Sequence, residues 1–197
     1  MHAKRKRSAT KATLDSVYQL KITLREIEPP IWRRILIPAT MSLGELHYIL
    51  QAVMGWTNDH LHQFRVADVD YSDPEFDLEN AGDEFAVTLS EVAPRPKARF
   101  TYIYDFGDDW EHEVFVEKIL ARETGNAHPA CVAGERSCPP ENCGGAWGYA
   151  DLLEAIRDPD HEEHVDMLEW VGEEFDPDRF DLNEANEELK ERRTALR

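Results

Sequence analysis

The chain has 197 residues and no apolar run near the roughly 18 that a membrane-crossing helix needs. That excludes a helical membrane protein. The first residues are basic but lack the apolar stretch of a secretory signal. Cysteine is scarce: Cys131, Cys138 and Cys143 are too few, and odd in number, for a disulfide framework. A reducing, cytoplasmic setting is the expectation. H-E-x-x-H, G-x-S-x-G and the Walker loop are all missing, so no familiar protease, hydrolase or nucleotide-binding signature applies. There is no internal repeat and no long low-complexity linker. Bases are outnumbered, 22 against 40 acids, for a formal charge of -18. Such a surface repels nucleic-acid phosphates unless a local basic patch overrides it.

The charge is unevenly spread. Residues 1–13 hold five Lys or Arg and no acid. They are expected to form a disordered basic tail, the one segment suited to a weak nucleic-acid contact. The rest, residues 14–197, has the length and the 42% hydrophobic content of one domain with a real core.

Periodicity gives the elements. Residues 17–25 alternate, with Tyr18, Leu20, Ile22 and Leu24 on one face, and read as a half-buried strand. Glu28-Pro29-Pro30 breaks it, and residues 31–37 return as the second strand of a hairpin. Ser42-Leu43-Gly44-Glu45 is a capping box. The helix it opens puts Leu43, Leu46, His47, Leu50, Val53 and Met54 on one stripe, and Gly55 ends it. Residues 58–66 read as a third strand carrying His60, His62, Phe64 and Val66 on one face. Residues 68–84 look like an acidic, exposed excursion. Residues 85–89 are either a short strand or the lead into a turn. Two strands, 99–106 and 110–119, flank Gly107-Asp108-Asp109, whose residues suit a hairpin turn. Residues 122–148 look loop-rich, and 149–157, 161–171 and 183–193 look helical. The expected fold is α+β: a largely antiparallel sheet, an N-terminal β-β-α-β unit, helices packed on one face and a helical C-terminal region.

Three histidines fall on core-facing positions: His47 on the helix stripe, His62 beside Phe64, and His112 on the apolar face of the strand with Trp110 and Val114. Asp105 precedes the turn. A neutral imidazole with a hydrogen-bond partner can sit in a core without chemistry. Together, His47, His62, Asp105 and His112 are also the candidate catalytic and metal-ligating set. They could hold a divalent transition metal such as zinc with an open position for water, or form a His–Asp general base. A weaker candidate metal site is Cys131, Cys138 and Cys143, completed by His128 or His161; otherwise the proline- and glycine-rich segment is a rigid turn. Arg25, Arg33, Arg34 and Arg65 lie on predicted neighbouring strands. Arg33 and Arg34, with Trp110, are the candidate contacts for a protein or phosphate-bearing ligand. Pairing of these arginines with nearby carboxylates is the alternative.

In order, L-K-I-T-L-R-E-I-E-P-P-I-W-R-R, L-H-Y-I-L-Q-A-V-M-G-W, H-L-H-Q-F, Y-D-F-G-D-D-W-E-H and P-P-E-N-C-G-G-A-W-G-Y resemble the plasmid pRiA ORF-three-like family over about residues 17–192. The matching positions include Trp32, Arg33, Arg34, His47, Trp56, His60, His62, Asp105, Gly107, Asp108, Trp110, His112, Pro140, Glu141, Cys143, Gly144 and Gly145. Cys131, Cys138 and the basic tail lie outside the shared pattern. The resemblance implies a single α+β domain found on plasmids and chromosomes, sometimes as a passenger of insertion elements. It brings no reaction with it. Two functions follow from the residues: a non-catalytic binding or interaction module, or a metal-dependent hydrolase of a phosphodiester or amide using the His/Asp set.

Overall fold

In the computed structural model, residues 15–122, 129–172 and 174–195 are described. The alternating N-terminal segment is strand β1, Ser16–Leu24, and its hairpin partner is β2, Trp32–Pro38. Helix α1, Leu43–Met54, follows. Ser42 Oγ accepts from the Glu45 amide at 3.1 Å, and the Glu45 carboxylate accepts from the Ser42 amide at 2.8 Å. Gly55 closes the helix in the left-handed region, at φ 87°, which a side chain would strain.

Next come β3, His62–Val66, β4, Val69–Ser72, and β5, Gly82–Asp83. The short helix α2 is Leu89–Val92. Strands β6, Arg99–Tyr104, and β7, Trp110–Ala121, form the expected hairpin, and β8 is Ala130–Glu135. Three helices end the chain: α3, Gly145–Arg157, α4, His164–Val171, and α5, Leu182–Ala195.

The strands make one eight-stranded sheet in the order β5-β4-β3-β6-β7-β1-β2-β8. Every pairing is antiparallel except β4 with β5. One face carries Tyr18, Leu20, Ile22, Ile35, Ile37, Phe64, Phe100 and Val114, all buried. Helix α1 buries Leu43, Leu46, Leu50 and Val53 into the same core. Each such side chain stabilises the fold by about 1.5–3 kcal/mol relative to exposure.

The other face keeps its charges in pairs. Arg34 grips Glu117 through two hydrogen bonds of 2.7 and 2.9 Å, and Gln19 donates to the same carboxylate at 2.6 Å. Arg25 pairs with Glu111 at 2.9 Å, Arg65 with Asp70 at 2.9 Å, and Arg99 with Glu113.

Several expectations change. The acidic excursion holds β4 and β5, and the cysteine-bearing segment holds β8. Residues 85–89 lead through a short 3-10 turn, Glu84–Ala86, into α2. Strand β3 starts at His62 rather than at residue 58, so His60 lies in the loop before it. The basic tail, residues 1–13, lies outside the described residues. Among those described, no helix is long and apolar enough to cross a membrane.

Candidate functional site

Register brings the histidines under α1. On the inner face His62 of β3 stands opposite Tyr104 of β6, and His112 of β7 stands opposite Tyr102. His47 reaches down from α1 and stacks on His62, centroids 3.4 Å apart and planes 3° from parallel. Gln51 Nε2 donates to the Tyr102 hydroxyl at 2.9 Å, and that hydroxyl donates to His47 Nδ1 at 2.8 Å. His47 Nε2 then donates to Asn58 Oδ1 at 2.6 Å. This assignment leaves the imidazole neutral with both nitrogens committed. Burial, helped by the neighbouring His62, holds His47 down to about 2.

His62 Nε2 donates to both oxygens of Glu84, at 3.1 and 3.0 Å, and both side chains are buried. His112 Nδ1 donates to the Tyr102 carbonyl at 3.3 Å, and burial takes its imidazole down to about 4. Glu84 is the carboxylate of this network. Sequence reading missed it because it sits inside an acidic stretch with no periodic signal.

Asp105 is elsewhere. Its Oδ1 accepts from the Gly107 amide at 2.9 Å, and its Oδ2 faces His60 Nε2 at 3.5 Å. His60 also lies 3.6 Å from Glu141, which accepts from the Tyr104 hydroxyl at 3.1 Å and the Thr57 amide at 2.9 Å. The structure therefore brings His47 and His62 together, sets His112 beyond Tyr102, and leaves Asp105 with His60.

A ring nitrogen binds a metal in the plane of its ring. An ion in the plane of His47 would lie well outside the plane of His62, stacked above it. Among the described residues no group of three or more His, Cys, Asp or Glu side chains is arranged to hold a metal ion. Cys131 points into the core from β8, Cys138 lies against Met54 and Arg33, and Cys143 precedes α3. Burial, then the Asp108 carboxylate, pushes the Cys143 thiol up to about 12. His161 Nδ1 accepts from the Glu163 amide at 3.1 Å. His128 lies outside the described residues.

The arginines do not gather into a single patch. Arg33 is on the inner face, 3% exposed, and donates to the carbonyls of Val53, Trp32 and Glu135 at 2.8 to 2.9 Å. The Val53 carbonyl belongs to the last turn of α1, where the helix dipole favours a cation. Arg34 is on the opposite face, held by Glu117. Trp110 is buried beside Trp56.

A cleft of about 420 Å³ opens where two distant turns lock together. One is Gly107–Trp110; the other is the glycine turn that begins α3. The Gly144 amide donates to Asp108 Oδ2 at 3.2 Å. Gly145, at φ 69°, lies so close that a β-carbon on it would stand 2.5 Å from the Asp108 carbonyl oxygen. Only glycine allows that approach. Glu26 and Asp109, both on the cleft wall, have φ of 62° and 53°. The lining holds Glu26, Asp108, Asp109 and Glu111 against Arg25, which already pairs with Glu111. Trp147 stands at the rim, 84% exposed.

An α+β protein with an antiparallel sheet, a sealed imidazole network and an acidic cleft is the class these features define. The chain belongs to the family of plasmid pRiA4b ORF-3-like proteins, whose model matches residues 16–184. It is 43% identical over 162 residues to uncharacterized protein y4hQ of Sinorhizobium fredii (strain NBRC 101917 / NGR234), covering 80% of this chain and 81% of that one. Among solved structures it is similar to protein of unknown function MM3350 from Methanosarcina mazei Go1. The TM-score is 0.78 and the identity 38%, over 85% of this chain and 96% of that one.

Proposed function

We propose that the protein is a non-catalytic interaction module, carried on mobile DNA and working in a reducing cytoplasm, whose cleft takes a cationic group of a partner. The exposed Trp147 at the rim of an acidic, backbone-strained cleft carries the reading. A tryptophan face and nearby carboxylates suit a guanidinium or ammonium group. Left-handed backbone costs on the order of 1 kcal/mol at Glu26 and less at Asp109, where the turn itself favours it. The imidazoles support the same reading from the other side. Both nitrogens of His47 are committed, to Tyr102 and Asn58, which leaves neither free to act as a base or a ligand.

The test is a titration of ¹⁵N-labelled protein with N-acetylated Gly-Arg-Gly amide. Shifts should concentrate on the Trp147 indole and the Asp109 and Gly145 amides, and Trp147→Ala should abolish them. Gly-Glu-Gly should leave all three in place. No response at the cleft, or a response centred on His47 and His62, would reject the proposal.

A further inference from the structure

Beyond the cleft, on residues it does not use, α3 and α4 enclose a groove of about 360 Å³. Its floor and walls include Cys143, Leu152, Ala155, Met167 and Trp170. None of the eight residues of α4 is buried. Val165 is 70% exposed, Trp170 49% and Leu168 41%. An apolar surface of this kind marks an interaction site. The helix is nonetheless anchored: Met167 and Val171 pack on the core, and His164 Nδ1 donates to the Ala155 carbonyl at 2.8 Å.

Charge says what fits. Between residues 151 and 171 there are eight carboxylates, all exposed, and one base, Arg157. Arg157 reaches toward Asp178 instead, at 3.8 Å. Among the described residues none of the eight is in an ion pair. The outer face of the sheet is different, since each arginine there has its carboxylate.

We infer that the α3–α4 groove docks a basic amphipathic helix of a partner protein. Apolar side chains spaced one turn apart on that helix enter between Met167 and Trp170, and flanking Lys and Arg meet the free carboxylates. Methionine adapts its shape to such a knob. A second copy of this chain fits poorly, because it would face the eight carboxylates with a body of net charge -18. An anionic lipid surface is repelled for the same reason. The inference stands whether or not the cleft binds a cation.

The probe is a fluorescein-labelled 18-residue amidated peptide of Leu, Lys and Ala, with its leucines on one helical face, titrated into the full chain. One-to-one saturable binding is expected, weaker at higher salt. Trp170→Glu and Trp170→Ala, each checked for an unchanged melting curve, should weaken it at least tenfold. Trp147→Ala should change it less than twofold, which separates this groove from the cleft. The same composition with its leucines scattered should bind native protein at least tenfold more weakly. Equal binding of the scattered peptide overturns the inference, as does an affinity within twofold for either groove variant. So does a dimer in sedimentation equilibrium that Trp170→Ala dissolves, since it would make a second copy the occupant.

Discussion

The network under α1 and the surface of α3 and α4 are built from the same kinds of ionisable side chain, used in opposite ways. Under α1 the buried polar groups are largely matched: Gln51 Nε2 to Tyr102, Tyr102 to His47, His47 to Asn58, His62 Nε2 to Glu84, with Gln51 Oε1, His62 Nδ1 and His112 Nε2 left over. Along α3, α4 and the segment between them eight carboxylates face solvent, none in an ion pair among the described residues. A buried polar group must find a partner inside the fold, because leaving it unmade costs far more than making it gains. An exposed carboxylate carries no such obligation. Histidines that look reactive in sequence are therefore committed to the core, and the acids that look bland remain available.

Substitution separates the two regions. The largest effect should come from His62→Leu, which takes away the donor that Glu84 has in the core. Leaving a buried acid without its hydrogen-bond partner costs up to about 3 kcal/mol. Urea unfolding should show it, and a loss below about 1 kcal/mol would mean Glu84 is better solvated than the buried geometry says.

Acid should come next. His47 and His112 have folded values held below their unfolded value of about 6.5, by burial first. The unfolded chain then binds more protons below that pH, so the stabilisation is complete above about 6.5 and is lost as the pH falls toward 4. Each imidazole contributes a slope of about 1.4 kcal/mol per pH unit in that window. Urea midpoints at pH 7.5, 6.0 and 5.0 should fall in step, and His112→Gln should flatten the trend.

Tyr102→Phe is a smaller cut. It strands Gln51 Nε2 and His47 Nδ1 and should cost about 1–3 kcal/mol. Arg34→Ala on the open sheet face should cost less than about 1 kcal/mol, because a partly exposed pair is screened. Smallest of all, Glu163→Gln with Asp166→Asn should leave stability within about 0.5 kcal/mol, yet weaken binding of the basic helical peptide. A stability loss at those two positions comparable to Tyr102→Phe would erase the contrast between the regions.

Much of the scaffold is legible in the sequence. Alternation gives β1, the flanking prolines give β2, the Gly107-Asp108-Asp109 turn gives β6 and β7, and the capping box and Gly55 bound α1 to within a residue. What escapes has a physical cause. β4 and β5 are four and two residues long, too short for a period to register. β8 contains Gly134, a weak strand former, and takes its place through pairing with β2 far away in sequence. Periodicity places His47, His62 and His112 inward, but a strand face does not tell which carboxylate meets them. Asp105, in the left-handed region at φ 56°, turns away to cap its own loop. The cleft depends on a close approach of Gly145 to Asp108, a contact between segments 37 positions apart. No local pattern encodes it.

The central contrast comes down to the protonation of the imidazoles. Long-range ¹H–¹⁵N correlation of the histidine side chains, recorded from pH 7.5 to 5 and again with zinc and with the arginine tripeptide, reads it directly. His47 and His112 should stay neutral throughout and ignore both additives, while the Trp147 indole moves with the peptide. A His47 ring that titrates near 6.5, or that shifts or broadens with zinc, would mean the network is open and reactive, and would contradict the account.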